Sequence, residues 1–214
     1  MQQPTVCVLT GDIVKSSALS DDGLDTVMAA LAELATIIGT WPGESGVCYE
    51  RFRGDGWQLL INRPAHALRA CLFARAAVRR VSDRGDTRIG VGVGAATAAA
   101  TLAESSGAAF ELSGHGLEQL GVHQLWRIEE QRASPGDNTL TRALFAVCDE
   151  RSRHWTGRQA DIFMRLAAPD APLMAEVAEV LSVQPQTVQT HFARAGGHAL
   201  LEAIEAFESV ERDA

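Results

Sequence analysis

Residues 6–17, VCVLTGDIVKSS, and residues 51–61, RFRGDGWQLLI, decide how this chain folds. In each, an apolar, β-rich run meets glycine and an aspartate. Residues 5–10 read as an interior strand with Gly11 and Asp12 at its exit, and residues 50–53 and 57–62 as two strands joined across Gly54, Asp55 and Gly56. Asp-Gly tolerates the positive φ angles that tight hairpins need. If the first strand pairs beside the hairpin, the carboxylates of Asp12 and Asp55 converge. Two carboxylates together with ligand phosphates are the usual way a protein holds Mg²⁺, which dehydrates reluctantly and keeps several waters. Turn and cap roles account for the same two aspartates by spacing alone.

The neighbouring segments give these strands a topology. Residues 24–38 place Leu24, Val27, Leu31, Leu34, Ala35 and Ile38 on one face at helical spacing, which predicts a crossover helix. Residues 64–81 predict a second helix, opened by Pro64 and carrying Leu68, Leu72, Ala76 and Val78. Residues 87–95, TRIGVGVGA, alternate apolar side chains with glycines that permit close packing of backbone or ligand. The series β-α-β-β-α-β is a ferredoxin-like signature, so the fold class expected here is α+β.

These residues resemble the class III nucleotidyl cyclases, whose domains carry a strand ending in Asp-Ile, a Gly-Asp hairpin and an Arg-x-Gly-Ile strand. The matching residues are Gly11 to Ser17, Gly54-Asp55-Gly56 and Arg88-Ile89-Gly90-Val91, and the likeness covers roughly residues 5–130. With the C-terminal helices described below, the chain looks closest to the SatD-like family, in which a cyclase-like domain precedes a helix-turn-helix. The resemblance implies that Asp12 and Asp55 bind Mg²⁺ or Mn²⁺. It implies that Ile13, Lys15 and Ser16 lie beneath a nucleotide triphosphate, with Gly54 in the hairpin. Arg51 then falls on a base-contact position, and Glu111, before Gly114, on that of the base-specifying acid. The transition-state positions depart from the family, because Glu118 replaces an asparagine and Val122 an arginine. Cyclisation needs donors and cations around the transferring phosphate. The resemblance therefore implies metal and nucleotide binding more than turnover.

Composition sets the outer bounds. A chain of 214 residues, 46% hydrophobic and with net charge −8, is long enough for a main core and a smaller companion. The expected division is a cyclase-like domain over 1–130, a linker over 131–138 (QRASPGDN) and a helical domain over 139–214. No apolar run reaches the ~18 residues that span a bilayer, and MQQPTVCV lacks a basic region followed by a cleavage site. A cytoplasmic protein without a membrane partner is expected. Cys7, Cys48, Cys71 and Cys148 sit in apolar segments without Cys-x-x-Cys spacing and read as reduced core residues.

The C-terminal part reads as all-helical. Residues 139–151 form a helix whose apolar side docks on the first domain or on a second copy, making a homodimer. Further helices are expected over 157–167, 173–181, 185–195 and 198–210. The central pair reads as a helix-turn-helix, with Ala178 where the helices cross, Ser182 in the turn, and Val183 and Val188 facing the core. In such motifs the second helix enters the major groove of double-stranded DNA. That nominates Gln184, Gln186, Thr187, Gln189 and Thr190 as base readers, with His191 and Arg194 near the backbone. Residues 151–214 nevertheless hold six arginines against nine acids, a net of −3, whereas a phosphate binder usually shows a basic face. Two function classes follow. One is a regulator that couples a degenerate nucleotide-binding domain to DNA; the other is an active nucleotidyl cyclase or nucleotide hydrolase whose C-terminal helices dimerise or localise it.

Overall fold

The expected element order is found and extended: β1 (Thr5–Ile13), α1 (Asp21–Ile38), β2 (Cys48–Phe52), β3 (Gly56–Ile61), α2 (Ala67–Val81), β4 (Thr87–Ala95), α3 (Ala108–Glu118) and β5 (Trp126–Glu130). Then come α4 (Thr139–Ser152), α5 (Gly157–Leu166), α6 (Met174–Val180), α7 (Pro185–Arg194) and α8 (Gly197–Glu208). The structure is a computed structural model that describes residues 3–52, 54–83, 85–97, 99, 101–131 and 138–210. Among them it contains a five-stranded sheet and eight α-helices, a mixed α+β architecture. No helix among the described residues is long and apolar enough to cross a membrane.

The sheet order is β2-β3-β1-β4-β5. The first four strands pair antiparallel in the ferredoxin-like arrangement, and β5 adds in parallel to β4 through the α3 crossover. β5 is a strand the sequence reading lacks; its sequence, WRIEE, is short and charged. β1 also runs past its apolar stretch, which corrects the placement of Asp12. Instead of standing at a strand exit, Asp12 is paired, opposite Gly56 of β3 and Arg88 of β4.

Side chains alternate across the sheet. Cys7, Leu9 and Ile13 of β1 join the large core beneath α1 and α2, whereas Val6 and Val8 pack with Leu60 and Ala109 beneath α3. Asp12 has the parity of Val6 and Val8 and therefore stands on the α3 side. Here the glycines of β4 have their reason. A Cβ on Gly90 would lie 2.0 Å from the Ser113 carbonyl oxygen, and one on Gly92 2.0 Å from that of Ala109. The backbone of α3 rests directly on β4, so the close approach is to backbone and not to ligand.

α2 decides how the rest of the chain packs. Every residue from Ala67 to Val78 is buried, Arg69 and Arg75 included. A helix buried all round needs protein on both sides, and the second side is supplied by the C-terminal helices. Phe145, Phe163, Phe192, Ile204 and Phe207 share one hydrophobic cluster with Leu9, Leu59 and Ile89 of the sheet. Arg69 holds Glu208 of α8 with two bonds of 2.7 Å and donates also to the Ala167 carbonyl. Arg75, fully buried, binds Asp86 at 2.9 Å, Asp149 of α4 at 2.6 Å and Ser152 at 2.7 Å. In the segment expected as a linker, residues 132–137 lie outside the described residues. At its ends, Gln131 accepts from the Ala95 amide and Asn138 donates to the Glu130 carbonyl.

α4 docks on β5 and α2 through Phe145 and Cys148, leaving Leu140 84% exposed and Val147 67% exposed. α6 and α7 meet across a short turn in which Ser182 takes φ 52°, with Ala178 and Val188 buried at their contact. Such a helix pair recurs in proteins of many functions and by itself carries no DNA role. One cysteine departs from expectation: Cys48, on the outer strand β2, is exposed, while Cys7, Cys71 and Cys148 are buried.

Candidate functional site

The site forms where the ends of β1, β4 and the β2–β3 hairpin meet on the α3 side. Gly11 permits the approach on the opposite face, because a Cβ there would lie 2.5 Å from the Trp57 ring. Trp57 is locked in turn by its indole N–H, which donates to Thr87 Oγ1 at 3.0 Å, and that hydroxyl donates to the Asp12 carbonyl at 2.8 Å. The backbone under Asp12 is thus held from both neighbouring strands.

Arg88 is the residue that sequence reasoning left without a role. Its Nε donates to Asp12 Oδ1 at 2.7 Å and its Nη2 to Oδ2. These bonds raise the Arg88 pKa above its ordinary value, with the negative charges of Asp12 and then Asp55 adding to the effect and partial burial opposing it. Asp55 follows Gly54 in the hairpin, and Ser16 Oγ donates to Asp55 Oδ2 at 2.5 Å. Arg88 thus holds Asp12 directly and lies within the field of Asp55, which Ser16 holds in turn. The signal for Arg88 was its place in the β4 motif; its pairing depends on register, which no local pattern encodes.

The other predicted residues divide. Lys15, exposed and left-handed at φ 54°, begins the short turn at Ser16–Ala18 beside the acids. Ile13 does not present its side chain there, being 3% exposed in the core beneath α1 and α2. Arg51 stands on the opposite face of the hairpin: its cross-strand neighbour is Trp57, and it ion-pairs with Asp25 of α1 at 2.7 Å. Its Nε donates to the Gly54 carbonyl at 2.6 Å. Glu111 is exposed on α3, whose inward residues are Ala109, Ser113 and Gly116. Glu118 is exposed at the last turn of α3, and Val122, 96% exposed, lies beyond the helix. In the C-terminal part, Gln184, Gln186, Gln189, Thr190 and Arg194 are exposed, and Thr187 is half-buried.

A divalent ion fits this donor set only in part. The acids offer oxygens of the kind Mg²⁺ and Mn²⁺ take, but both oxygens of Asp12 already face a guanidinium and Asp55 already accepts from Ser16. Among the described residues no group of three or more His, Cys, Asp or Glu side chains could hold a metal. The residues suit a hard cation that brings phosphate oxygens with it, and suit a bare ion poorly.

No family description and no curated protein matches this chain. Among solved structures it is similar to guanylyl cyclase Cya2, at 18% identity over 60% of this chain and 77% of that one, with TM-score 0.42. It is similar also to a dimeric guanylyl cyclase domain of the RhoGC fusion protein from the aquatic fungus Blastocladiella emersonii, at 22% identity, 56% and 76% coverage and TM-score 0.40. A third is the catalytic core of a rhodopsin-guanylyl cyclase with converted specificity in complex with ATPalphaS, at 17% identity, 56% and 74% coverage and TM-score 0.38. All three of these structures are guanylyl cyclases or parts of them.

Proposed function

We propose that this chain is a nucleotide-binding protein of cyclase-like architecture that binds without cyclising. The observation that carries the reading is the gathering of Asp12, Asp55, Ser16 and Arg88 at one end of the sheet. Asp12 and Asp55 would hold Mg²⁺ or Mn²⁺ together with the phosphate oxygens. The ion would neutralise phosphate charge, while Lys15 and Arg88 supply cations and Ser16 a hydroxyl. Glu111, on the outer side of α3, would serve a nucleotide held by a second copy, in keeping with a homodimer. Glu118 and Val122 supply neither donor nor cation to a transferring phosphate, and loss of one such group costs ~10²-fold or more in rate. The SatD-like resemblance, with its division at residues 131–138, belongs to this proposal.

A thermal-shift series of nucleoside triphosphates and cyclic nucleotides, with and without Mg²⁺ or Mn²⁺, tests it, since a ligand that binds only the folded state raises its stability. Asp12→Asn and Asp55→Asn should each remove the metal-dependent part of the shift. An undiminished metal dependence in both would refute the site. Robust pyrophosphate release with a cyclic product would replace the binding reading by the enzyme one.

A second reading, DNA recognition by α7, is favoured by the outward Gln184, Gln186, Gln189, Thr190 and Arg194. The acids of the neighbouring helices, Glu176, Glu179, Glu202 and Glu205, oppose it. Failure to enrich any sequence from a randomised duplex pool at low salt, with or without nucleotide, would end this reading.

A further inference from the structure

α3 rests on β4 and β1, and on the β2–β3 side of the same sheet face a groove of about 220 Å³ is lined by Glu50, Phe52, Gln58 and Ala103. Register joins this groove to the Asp12 site. Asp12 stands opposite Gly56, and Gly56 opposite Phe52; two residues further along, Thr10 stands opposite Gln58, and Gln58 opposite Glu50. The groove therefore lies roughly 7 Å along the strands from Asp12 and one to two strand spacings, about 5 Å each, across them. That is the separation between the phosphates and the base of one nucleotide. The Phe52 ring leans on Gly56, where a Cβ would meet Phe52 Cε2 at 2.9 Å, and it gives the groove an aromatic wall.

The polar side chains of the groove are held in one orientation. Ser113 Oγ donates to the Phe110 carbonyl at 2.9 Å, and a hydroxyl has a single proton, so the buried 2.8 Å bond between Thr10 and Ser113 is donated by Thr10. Thr10 Oγ1 can then only accept from Gln58, whose Nε2 lies 3.1 Å away. The amide is thereby fixed with its nitrogen towards Thr10, which leaves its Oε1 and its second N–H. Glu50 is held as well: its Oε2 accepts from the Ala103 amide at 3.1 Å, and its Oε1 is left. Among the described residues no other hydrogen bond takes these remaining groups.

We propose that Gln58, set by the Thr10 and Ser113 hydroxyls, reads the base of a nucleotide and together with Glu50 selects guanine; this rests on the proposed binding of the phosphates at Asp12 and Asp55. The groups left over are two acceptors, Glu50 Oε1 and Gln58 Oε1, and one donor, the second Gln58 N–H. The Watson–Crick edge of guanine carries two donors, N1–H and the N2 amine, beside one acceptor, O6, and satisfies all three. Adenine carries one donor and one acceptor on that edge, so a carboxylate oxygen is left unpaired or set against a ring-nitrogen lone pair. An unpaired polar group in the wrong complex is what makes such discrimination large. The Phe52 ring offers its face for stacking, which every base accepts and which therefore adds affinity without choosing.

Calorimetric titration of the full chain with GTP, ATP, ITP and inorganic tripolyphosphate, each with Mg²⁺, tests this, with the melting temperature of every variant measured first. The wild type should bind GTP roughly tenfold or more tighter than ATP, the scale of one charged hydrogen bond. ITP, which lacks the N2 amine, should fall between them. Gln58→Leu and Glu50→Gln should each bring the ratio of GTP to ATP affinity close to one, and Gln58→Leu should do so without weakening tripolyphosphate. Thr10→Val, which removes the hydroxyl that orients Gln58, should lower the ratio, and Thr10→Ser, which keeps it, should retain it. Equal affinity for GTP and ATP, a preference for ATP, or a ratio that survives Gln58→Leu would each overturn the assignment of the base while tripolyphosphate binding leaves the Asp12 site standing. Failure of tripolyphosphate and of every nucleotide to bind would refute the Asp12 site and the base reader with it.

Discussion

Arg88 and Asp12 face each other across two antiparallel strands, and the guanidinium takes both oxygens of the carboxylate. The protein thus provides its own cation at the position where two acids would otherwise repel. A guanidinium and a divalent ion compete for the same oxygens. In Arg88→Gln, Mg²⁺ alone should raise the melting temperature clearly more than in the wild type. Affinity for a phosphate-bearing nucleotide should fall roughly 10- to 100-fold, as expected when a charged hydrogen-bond partner is removed. Equal Mg²⁺ responses in the two proteins would show that Arg88 does not guard the acids.

The contact between α3 and β4 should be intolerant of a single methyl group. In Gly92→Ala the new Cβ would meet the Ala109 carbonyl oxygen at 2.0 Å and the Ser113 amide nitrogen at 2.5 Å, both backbone atoms. A loss of about 2 kcal/mol or more is expected from overpacking of this kind. Gly114→Ala, on the same helix with nothing within 4 Å of the added atom, should gain ~0.5–1 kcal/mol from helix propensity. Urea midpoints at constant m-value measure both, and a harmless Gly92→Ala would mean that α3 can lift off the sheet.

The buried ion network should matter far more than its surface counterparts. Asp149, 1% exposed, accepts from Arg75 at 2.6 Å, Arg153 at 2.7 Å and the Leu125 amide at 2.8 Å. Asp149→Asn leaves the enclosed Arg75 short of a counter-charge and should cost ~3–5 kcal/mol. Glu33→Gln, which breaks the largely exposed pair with Arg80, should cost under ~1 kcal/mol. Chemical denaturation distinguishes them, and comparable losses would contradict the assigned burial.

The four thiols should behave unequally. Burial pushes the pKa of Cys7 and Cys71 well above the ordinary range and that of Cys148 up to about 11, whereas Cys48 is exposed. At mildly alkaline pH a thiol reagent should label Cys48 alone in the native chain and all four after denaturation. The fold favours the neutral Cys148 thiol. Its contribution is therefore complete below the ordinary value of 9.0 and is lost as pH rises through about 11. Cys148→Ala should flatten the fall in stability across that window. Rapid native labelling of Cys148 would rule out its buried placement.

What the sequence alone determined was the local layer: the order of strands and helices through β4, the hairpin at Asp55 and the helices of the C-terminal part. Those features follow from periodicity and turn chemistry, which a short window of residues carries. Only the tertiary structure decided the rest. Register placed Arg51 on the α1 side and Arg88 on Asp12, since a one-residue difference along a strand reverses the face. β5 exists because α3 delivers it to the edge of β4, not because WRIEE reads as a strand. The burial of α2 on every side came from partners far along the chain, such as Glu208 at 139 residues from Arg69. No periodicity within α2 distinguishes an arginine facing water from one enclosed by helices that the chain has yet to form.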